Sequence, residues 1–524
     1  MLSTLSAQFT RVEINNSLNS KLPESDDSSA SDSEHSLSPS PSSSPSSGPQ
    51  ALHFLDVCCR AVKSLSQRGS HAAFQRTPLL PLQAFEGLYS DTNPSGNVNL
   101  GVAENSLMTC FLSAFYDSRP LDLGYTDFTY GTAISGSTRL FTALASLFRE
   151  EFHAHPSWSL TKEQIVCGNG CGTILESILS CLADPGDGVL IFRPYYPGFK
   201  TACEAKIGVI PVGVTVPTGY DNDTNSLMDA LEAAYQDSIA NGVLPKVMLL
   251  CNPHNPLGIC YSEDALISIS KWTGSKELEL VVDEIYGMST LRTPDDFRSI
   301  LSFDPASLGI APTSVHVVYG ASKDWSSNGF RIGVGVTKNT HLVRAVQANA
   351  LAMRVSSVAD RLWTSLIGCP SRRNVFMNLN RRLLNSSYNR VARFLESHNI
   401  SYVEGQAGHY LWIDLRKFMD VQEGENEWDA EMRLFTRVLQ HGLMLGRGNA
   451  YSNSTPGFFR LTFAMREDHL EIGLARFELA LGLEKTIDPA RGLALRKNRE
   501  IILSRLGRIS AVNGGVENVE GVEL

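Results

Sequence analysis

Five short, uninterrupted apolar runs constrain the fold of this chain: QIVCG (164–168), DGVLIF (187–192), KVMLLCN (246–252), LELVVDEIY (278–286) and SVHVVYG (314–320). Each is rich in β-branched residues and bounded by Gly, Pro, Asn or Asp, as expected of strands buried on both faces. Between them lie segments with apolar residues at helical spacing, such as ILESILSCLA and EDALISISKW. Strands alternating with helices predict an α/β fold around a mostly parallel sheet covered on both faces. Beyond about residue 370 the pattern changes to a long helix around VFMNLNRRLLNSSYNRVARFLESH, two strand-like runs (HYLWIDL and FFRLTFA) and a last helix through LARFELALGL. That predicts a smaller α+β domain.

Composition shifts divide the chain further. From Ser25 to Gly48, thirteen of twenty-four residues are serine and three are proline, too little apolar surface to offset the entropy of ordering. The expected organisation is a disordered tail over 1–50, an N-terminal segment joining the small domain over 51–125, a large domain over 126–345, the small C-terminal domain over 346–486 and a flexible tail over 487–524. Within that last tail, Arg491–Arg508 is basic and of helical pattern, and is read as a solvated face. A net charge of −10 and a pI near 5.7 exclude a strongly basic nucleic-acid binder. No apolar run approaches the length of a membrane span, and the N-terminus lacks a signal-peptide core. Ten cysteines without a CxxC pair fit a reduced, cytoplasmic setting. Histidines and cysteines show no metal-ligand spacing, so no metal is expected.

The chemistry gathers at the ends of the predicted strands. Lys323 follows SVHVVYG, Asp283 ends an apolar strand, and Asn252-Pro253-His254-Asn255-Pro256-Leu257-Gly258 follows KVMLLC. Open α/β sheets bind ligands at such ends. A lysine at the mouth of a buried strand has a costly ammonium, and a depressed pKa suits Schiff-base chemistry. The set fits pyridoxal phosphate, which needs an amine, an acid for its ring nitrogen and donors for its ring oxygen. Gly168-Asn169-Gly170-Cys171-Gly172 follows a strand and opens a helix, where amides can cradle a phosphate.

In these motifs, taken in this order, the chain resembles fold-type I pyridoxal-phosphate enzymes, and among them the 1-aminocyclopropane-1-carboxylate synthase-like branch of the class I/II aminotransferase group. The resemblance runs from about Leu65 to Leu483. It implies that Lys323 is the Schiff-base lysine and the base that moves the substrate α-proton, with Asp283 on the pyridine nitrogen and Asn255 and Tyr286 on the ring oxygen. It implies that Arg331, Ser322, Cys171 and Gly172 hold the phosphate, that Tyr196 of the PYYPGF segment stacks on the ring, and that Arg460 clamps the substrate carboxylate. Glu104 would lie near the substrate, and Tyr130 would reach the site of a neighbouring subunit, implying a homodimer. The expected partner is a small amino acid, with neither nucleic acid nor membrane involved.

The motif departs from the family at Gly320, where the resemblance leads one to expect a serine on the phosphate. Losing that hydrogen bond removes about 1.5–3 kcal/mol. The resemblance leaves the reaction open. The first reading is carbon–sulfur cleavage of S-adenosylmethionine or a related sulfur amino acid, as a lyase. The alternatives are transamination between an amino acid and a 2-oxo acid, and a catalytically inactive binding protein.

Overall fold

The computed structural model describes residues 87–119, 121–131, 135–216, 223–349 and 351–513. The expected tail over 1–50, the segment that follows it to residue 86 and the final residues 514–524 lie outside these.

After a short first strand, β1 (Val98–Asn99), seven strands build the main sheet: β2 (Ile165–Gly168), β3 (Gly188–Phe192), β4 (Ile210–Val214), β5 (Pro245–Cys251), β6 (Glu279–Asp283), β7 (Val315–Gly320) and β8 (Gly333–Thr337). Their order is β2-β8-β7-β6-β5-β3-β4, and only β8 runs antiparallel to its neighbours. The five apolar runs are β2, β3, β5, β6 and β7. The expected strands did not include β4 and β8, whose IPVGV and GVGVT are short and interrupted by glycine.

Side chains on β5 show why the sheet is buried on both sides. Met248 and Leu250 join one apolar cluster, while Val247, Leu249 and Cys251 join another. The alternation follows from the two-residue period of a strand. On the Met248 side pack α2 (Thr138–Glu150), α5 (Thr224–Ala240) and α6 (Glu263–Ser275), preceded in the chain by α1 (Thr109–Asp117). On the other side pack α3 (Cys171–Leu182), α4 (Pro197–Glu204) and α7 (Thr340–Ala348). Ser137, Asp223, Ser262 and Asn339 each accept a backbone amide hydrogen at the start of a helix, as good N-caps do.

The chain continues through α8 (Ser357–Ile367) and α9 (Pro370–Ser397) into a second, four-stranded antiparallel sheet. It contains β9 (Tyr402–Val403), β10 (Tyr410–Asp414), β12 (Gly446–Arg447) and β13 (Phe458–Thr462), with α10 (Glu427–Gln440) inserted and α11 (Glu467–Leu481) following. β1 pairs in parallel with β11 (Leu443–Met444), which ties residues 98–108 to this part of the fold.

Residues 489–513 correct the expectation of a flexible tail. They form α12 (Pro489–Asn513), laid along α1 and α11 with Leu503, Leu506 and Ala511 buried. The basic residues do not simply face water. Arg496 pairs with Asp91, Asp468 and Glu500, and Arg499 pairs with Glu467. Acids supplied by α11 and the chain near Asp91 make the packed arrangement favourable. No helix among the described residues is long and apolar enough to cross a membrane.

Candidate active site

β5, β6 and β7 lie side by side, and Asn255, Asp283 and Lys323 follow or end them at one edge of the sheet. Parallel strands place their following turns at the same edge, so groups far apart in sequence meet there.

Lys323 Nζ donates a hydrogen bond to the Ala103 carbonyl oxygen at 2.6 Å. Burial, with the Arg460 cation near it, lowers its pKa from 10.5 to about 8, and Glu104 pulls in the opposite direction. Such an amine gives up its proton within reach of neutral pH and can serve as nucleophile or base. Asp283 is only 7% exposed, and burial pushes its carboxyl up to about 7. The Ile285 amide (3.2 Å) and the Lys323 charge oppose that rise. A cationic N–H donor placed against Asp283 would favour the carboxylate.

Arg460 projects from β13 and is 4% exposed. Nη1 donates to Asn255 Oδ1 (2.8 Å) and Nη2 to the Gly101 carbonyl (2.7 Å). The guanidinium lies over the rings of Tyr410 and Tyr451, 4.8 and 5.0 Å from their centroids. Its Nε has no hydrogen-bond partner among the described residues, and no carboxylate among them pairs with it. Because Asn255 spends its oxygen on Arg460, its Nδ2 is left as the donor. Tyr286, 1% exposed, meets Tyr410 and His409 edge to face at 5.4 and 5.1 Å.

A second corner is shaped for an anion. Gly168 ends β2, Gly170 adopts φ +98°, and Cys171 and Gly172 open α3 with amides that have no partner within the helix. A Cβ at Gly170 would lie 2.5 Å from Arg331 Nη2, so the glycine lets the guanidinium come down onto the turn. Ser322 is buried beside Lys323. The Cys171 thiol donates to the Tyr319 carbonyl (3.0 Å), and burial raises its pKa, so it packs rather than reacts.

Packing also explains Gly320. A Cβ there would lie 2.4 Å from the Ile332 carbonyl oxygen and 2.7 Å from Cys171 Sγ. Gly320 pairs with Gly333 across β7 and β8, and a Cβ on Gly333 would lie 2.3 Å from the Gly170 carbonyl carbon. The start of α3 thus presses on two glycines at once.

Of the adjacent tyrosines, Tyr195 is 4% exposed and Tyr196 is 37% exposed. A Cβ on Gly198 would strike the Tyr196 ring at 2.2 Å, so that glycine makes room for it. Glu104 is exposed on the loop before α1, where its charge acts on Lys323. Tyr130 is not drawn into this cluster; it is 79% exposed, with the Arg354 guanidinium 5.3 Å from its ring centroid.

Sequence reasoning missed the Gly101 and Ala103 carbonyls, the Tyr410 and Tyr451 rings, and His409. Gly101 and Ala103 belong to a loop singled out for Glu104 alone, and backbone acceptors leave no residue-type signal.

The chain matches the family described as "Aminotransferase class I and II" over residues 95–477. A probable aminotransferase, gliI, of Aspergillus fumigatus is 33% identical over 392 residues, covering 74% of this chain and 90% of that protein. The 1-aminocyclopropane-1-carboxylate synthase of Nicotiana tabacum is 25% identical over 448 residues, covering 82% and 86%. Among solved structures, Bna3p, a putative kynurenine aminotransferase of Saccharomyces cerevisiae, superposes with a TM-score of 0.62 at 15% identity, covering 76% of this chain and 94% of that one.

Proposed function

The chain belongs to the class I and II aminotransferase family and is a pyridoxal-phosphate-dependent enzyme; from that premise we propose that it binds the cofactor on the Lys323 cluster and removes the α-proton of an amino acid held by Arg460. The residues present fit the cofactor. Gly170, Gly172, the first amides of α3 and Arg331 suit a phosphate, and a Cβ added at Gly172 would meet only open space. Asp283 is a buried acid that forms no ion pair among the described residues, which suits a protonated ring nitrogen. Asn255 Nδ2 and Tyr286 suit the ring oxygen, and Tyr196 suits its face. Pyridoxal phosphate supplies an electron sink conjugated with the substrate α-carbon.

The observation that carries the substrate assignment is Arg460. A guanidinium buried to 4% exposure, with an unpartnered Nε and no carboxylate paired with it among the described residues, is a place for an incoming carboxylate. Asn255 and the Gly101 carbonyl fix its plane before substrate arrives, so less ordering is left to the binding step. Lys323 Nζ, with its pKa near 8, takes the α-proton, and the Ala103 carbonyl holds the resulting ammonium.

For the fate of the deprotonated substrate, carbon–sulfur bond cleavage in a sulfur amino acid is the first reading. Transamination is the second, supported by the relative named as a probable aminotransferase at 33% identity. Incubating the loaded protein with S-adenosylmethionine, with cysteine conjugates and with amino acid/2-oxo acid pairs separates them by product. Methylthioadenosine, or pyruvate with ammonia, supports cleavage; a new amino acid from an oxo acid supports transamination. No product from any of the three rejects both.

The reading includes a homodimer in which Tyr130 serves the second site. It is supported by aromatic exposure on one stretch, with Tyr125 at 84%, Phe128 at 75% and Tyr130 at 79%. Mixing Tyr130→Ala and Lys323→Ala chains should restore activity in the hybrid that keeps one intact site.

A further inference from the structure

Two buried asparagines join the peptide that carries Lys323 to the loop that surrounds its amine. Asn380 lies in the middle of α9 and is fully buried; Asn105 follows Glu104 and is 6% exposed. Asn105 Nδ2 donates to Asn380 Oδ1 at 2.8 Å, and Asn380 Nδ2 donates to the Asp324 carbonyl oxygen at 3.3 Å. At the other end, the Leu107 amide donates to Asn105 Oδ1 at 3.1 Å.

The polarity of this chain of bonds is fixed from both ends. A backbone amide only donates and a carbonyl only accepts. Leu107 therefore draws the oxygen of Asn105, and Asp324 draws the nitrogen of Asn380, which leaves the two side chains facing each other as donor and acceptor. Asparagine is a weak helix former, and a buried amide is costly unless bonded. Asn380 is satisfied only by the two segments it joins. On one side, Asp324 follows Lys323, and its carboxyl bonds the Met288 amide and the Ser289 and Tyr319 hydroxyls. Phe376, one turn earlier on α9, stacks on Trp325 with ring centroids 5.5 Å apart. On the other side, Asn105 ends the stretch in which the Ala103 carbonyl accepts Lys323 Nζ and the Gly101 carbonyl accepts Arg460.

We propose that Asn380 is a positioning residue of this site: bonded at once to Asp324 and Asn105, it fixes the spacing between the Lys323 amine and the segment of Ala103 and Glu104 that surrounds it. This rests on the reading that Lys323 is the reacting amine. Burial, Arg460 and Arg331 disfavour its protonated form, while Glu104, the Cys171 thiol and the Ala103 carbonyl favour it. Asp283 and His409 lie within reach of its charge as well. Loosening the loop withdraws only Ala103 and Glu104, so the amine gives up its proton at lower pH.

Attack on added pyridoxal phosphate by the cofactor-free, full-length chain needs the neutral amine. The pH midpoint of its rate, followed by visible absorption, therefore reads Lys323. Asn380→Ala and Asn105→Ala should each lower that midpoint by roughly one unit, the shift expected when an acceptor and a carboxylate both move off an ammonium. The double variant should lower it no further, because either substitution breaks the same link. Denaturation midpoints of the same proteins read stability separately, and Asn105→Ala tests the link from the loop side if Asn380→Ala does not fold. A lowered stability with an unmoved pH midpoint overturns the proposal, being what a purely structural asparagine gives; so does a double variant whose shift is the sum of the two. Native protein to which pyridoxal phosphate does not attach, or attachment that persists in Lys323→Ala, refutes instead the reading of Lys323.

Discussion

Replacing Gly320 with serine tests whether this glycine is a missing phosphate ligand or a packing requirement. A hydrogen bond to a charged group contributes about 1.5–3 kcal/mol. On motif grounds alone, Gly320→Ser should therefore tighten cofactor binding by roughly tenfold or more. The packing predicts the reverse. The new Cβ would lie 2.4 Å from the Ile332 oxygen, and that oxygen is tied down by the Ala321 amide at 3.0 Å. The other obstacle, Cys171 Sγ at 2.7 Å, belongs to the first residue of α3. Relief requires the β7–β8 pair or the start of α3 to move, and the start of α3 carries the amides proposed to hold the phosphate. Overpacking of this kind costs about 1–3 kcal/mol.

The expected outcome for Gly320→Ser is a lower denaturation midpoint and weaker pyridoxal phosphate binding. Chemical denaturation of the cofactor-free protein measures the first, and titration followed by visible absorption measures the second. Adding Cys171→Ala should recover only part of the loss, because the tighter contact is with a backbone carbonyl. A serine variant as stable as the native protein, with tighter cofactor binding, would refute the packing argument.

Glu104→Gln removes a charge that raises the Lys323 pKa, so the pH midpoint of α-proton exchange should fall relative to the native protein; a midpoint that stays or rises removes Glu104 from the lysine's surroundings. Burial raises Asp283 and Asp324 to about 7 and Glu284 to about 8. An acid raised in the folded state contributes its stability in full below its unfolded pKa, about 4, and loses it as pH rises through the folded value. The cofactor-free protein should therefore lose stability between about pH 4 and pH 8, and Asp324→Asn should flatten that slope; denaturation midpoints across this range that show no such flattening reject the assignment. Gly507→Val would place a Cβ 2.3 Å from the Phe111 carbonyl oxygen and push α12 off α1. Since α1 follows the loop whose carbonyls meet Lys323 and Arg460, KM should rise together with a stability loss of about 1–3 kcal/mol; unchanged KM would confine α12 to stability alone.

Much of the main sheet is legible in sequence because its signal is local. Five of its seven strands are unbroken β-branched runs, and the two that lack this signal, β4 and β8, carry a glycine inside a five-residue strand. The grouping of Lys323, Asp283 and Asn255 is legible because a parallel sheet brings strand ends to one edge whatever the intervening sequence. The C-terminal helix is harder to judge. Its basic pattern suits a solvated face equally well, and what makes it pack are neighbours acquired only on folding: the faces of α1 and α11 and the acids Asp91, Glu467 and Asp468.

Contacts that complete the site are illegible for a different reason. Ala103 lies 220 residues before the lysine it contacts, and Ser289 lies 120 before His409. Neither pair has a motif, because a carbonyl belongs to every residue and a lone serine or histidine is more often structural than functional. Glycines fall between these cases. Sequence shows where they are, but not what approaches them: the Arg331 guanidinium at Gly170, the Tyr196 ring at Gly198, and the start of α3 at Gly320 and Gly333. At Gly320 the distinction reverses the inference. Read along the chain, it is a ligand lost from a phosphate site; read through its neighbours, it is what allows the start of α3 to pack against β7 and β8 at the proposed phosphate site.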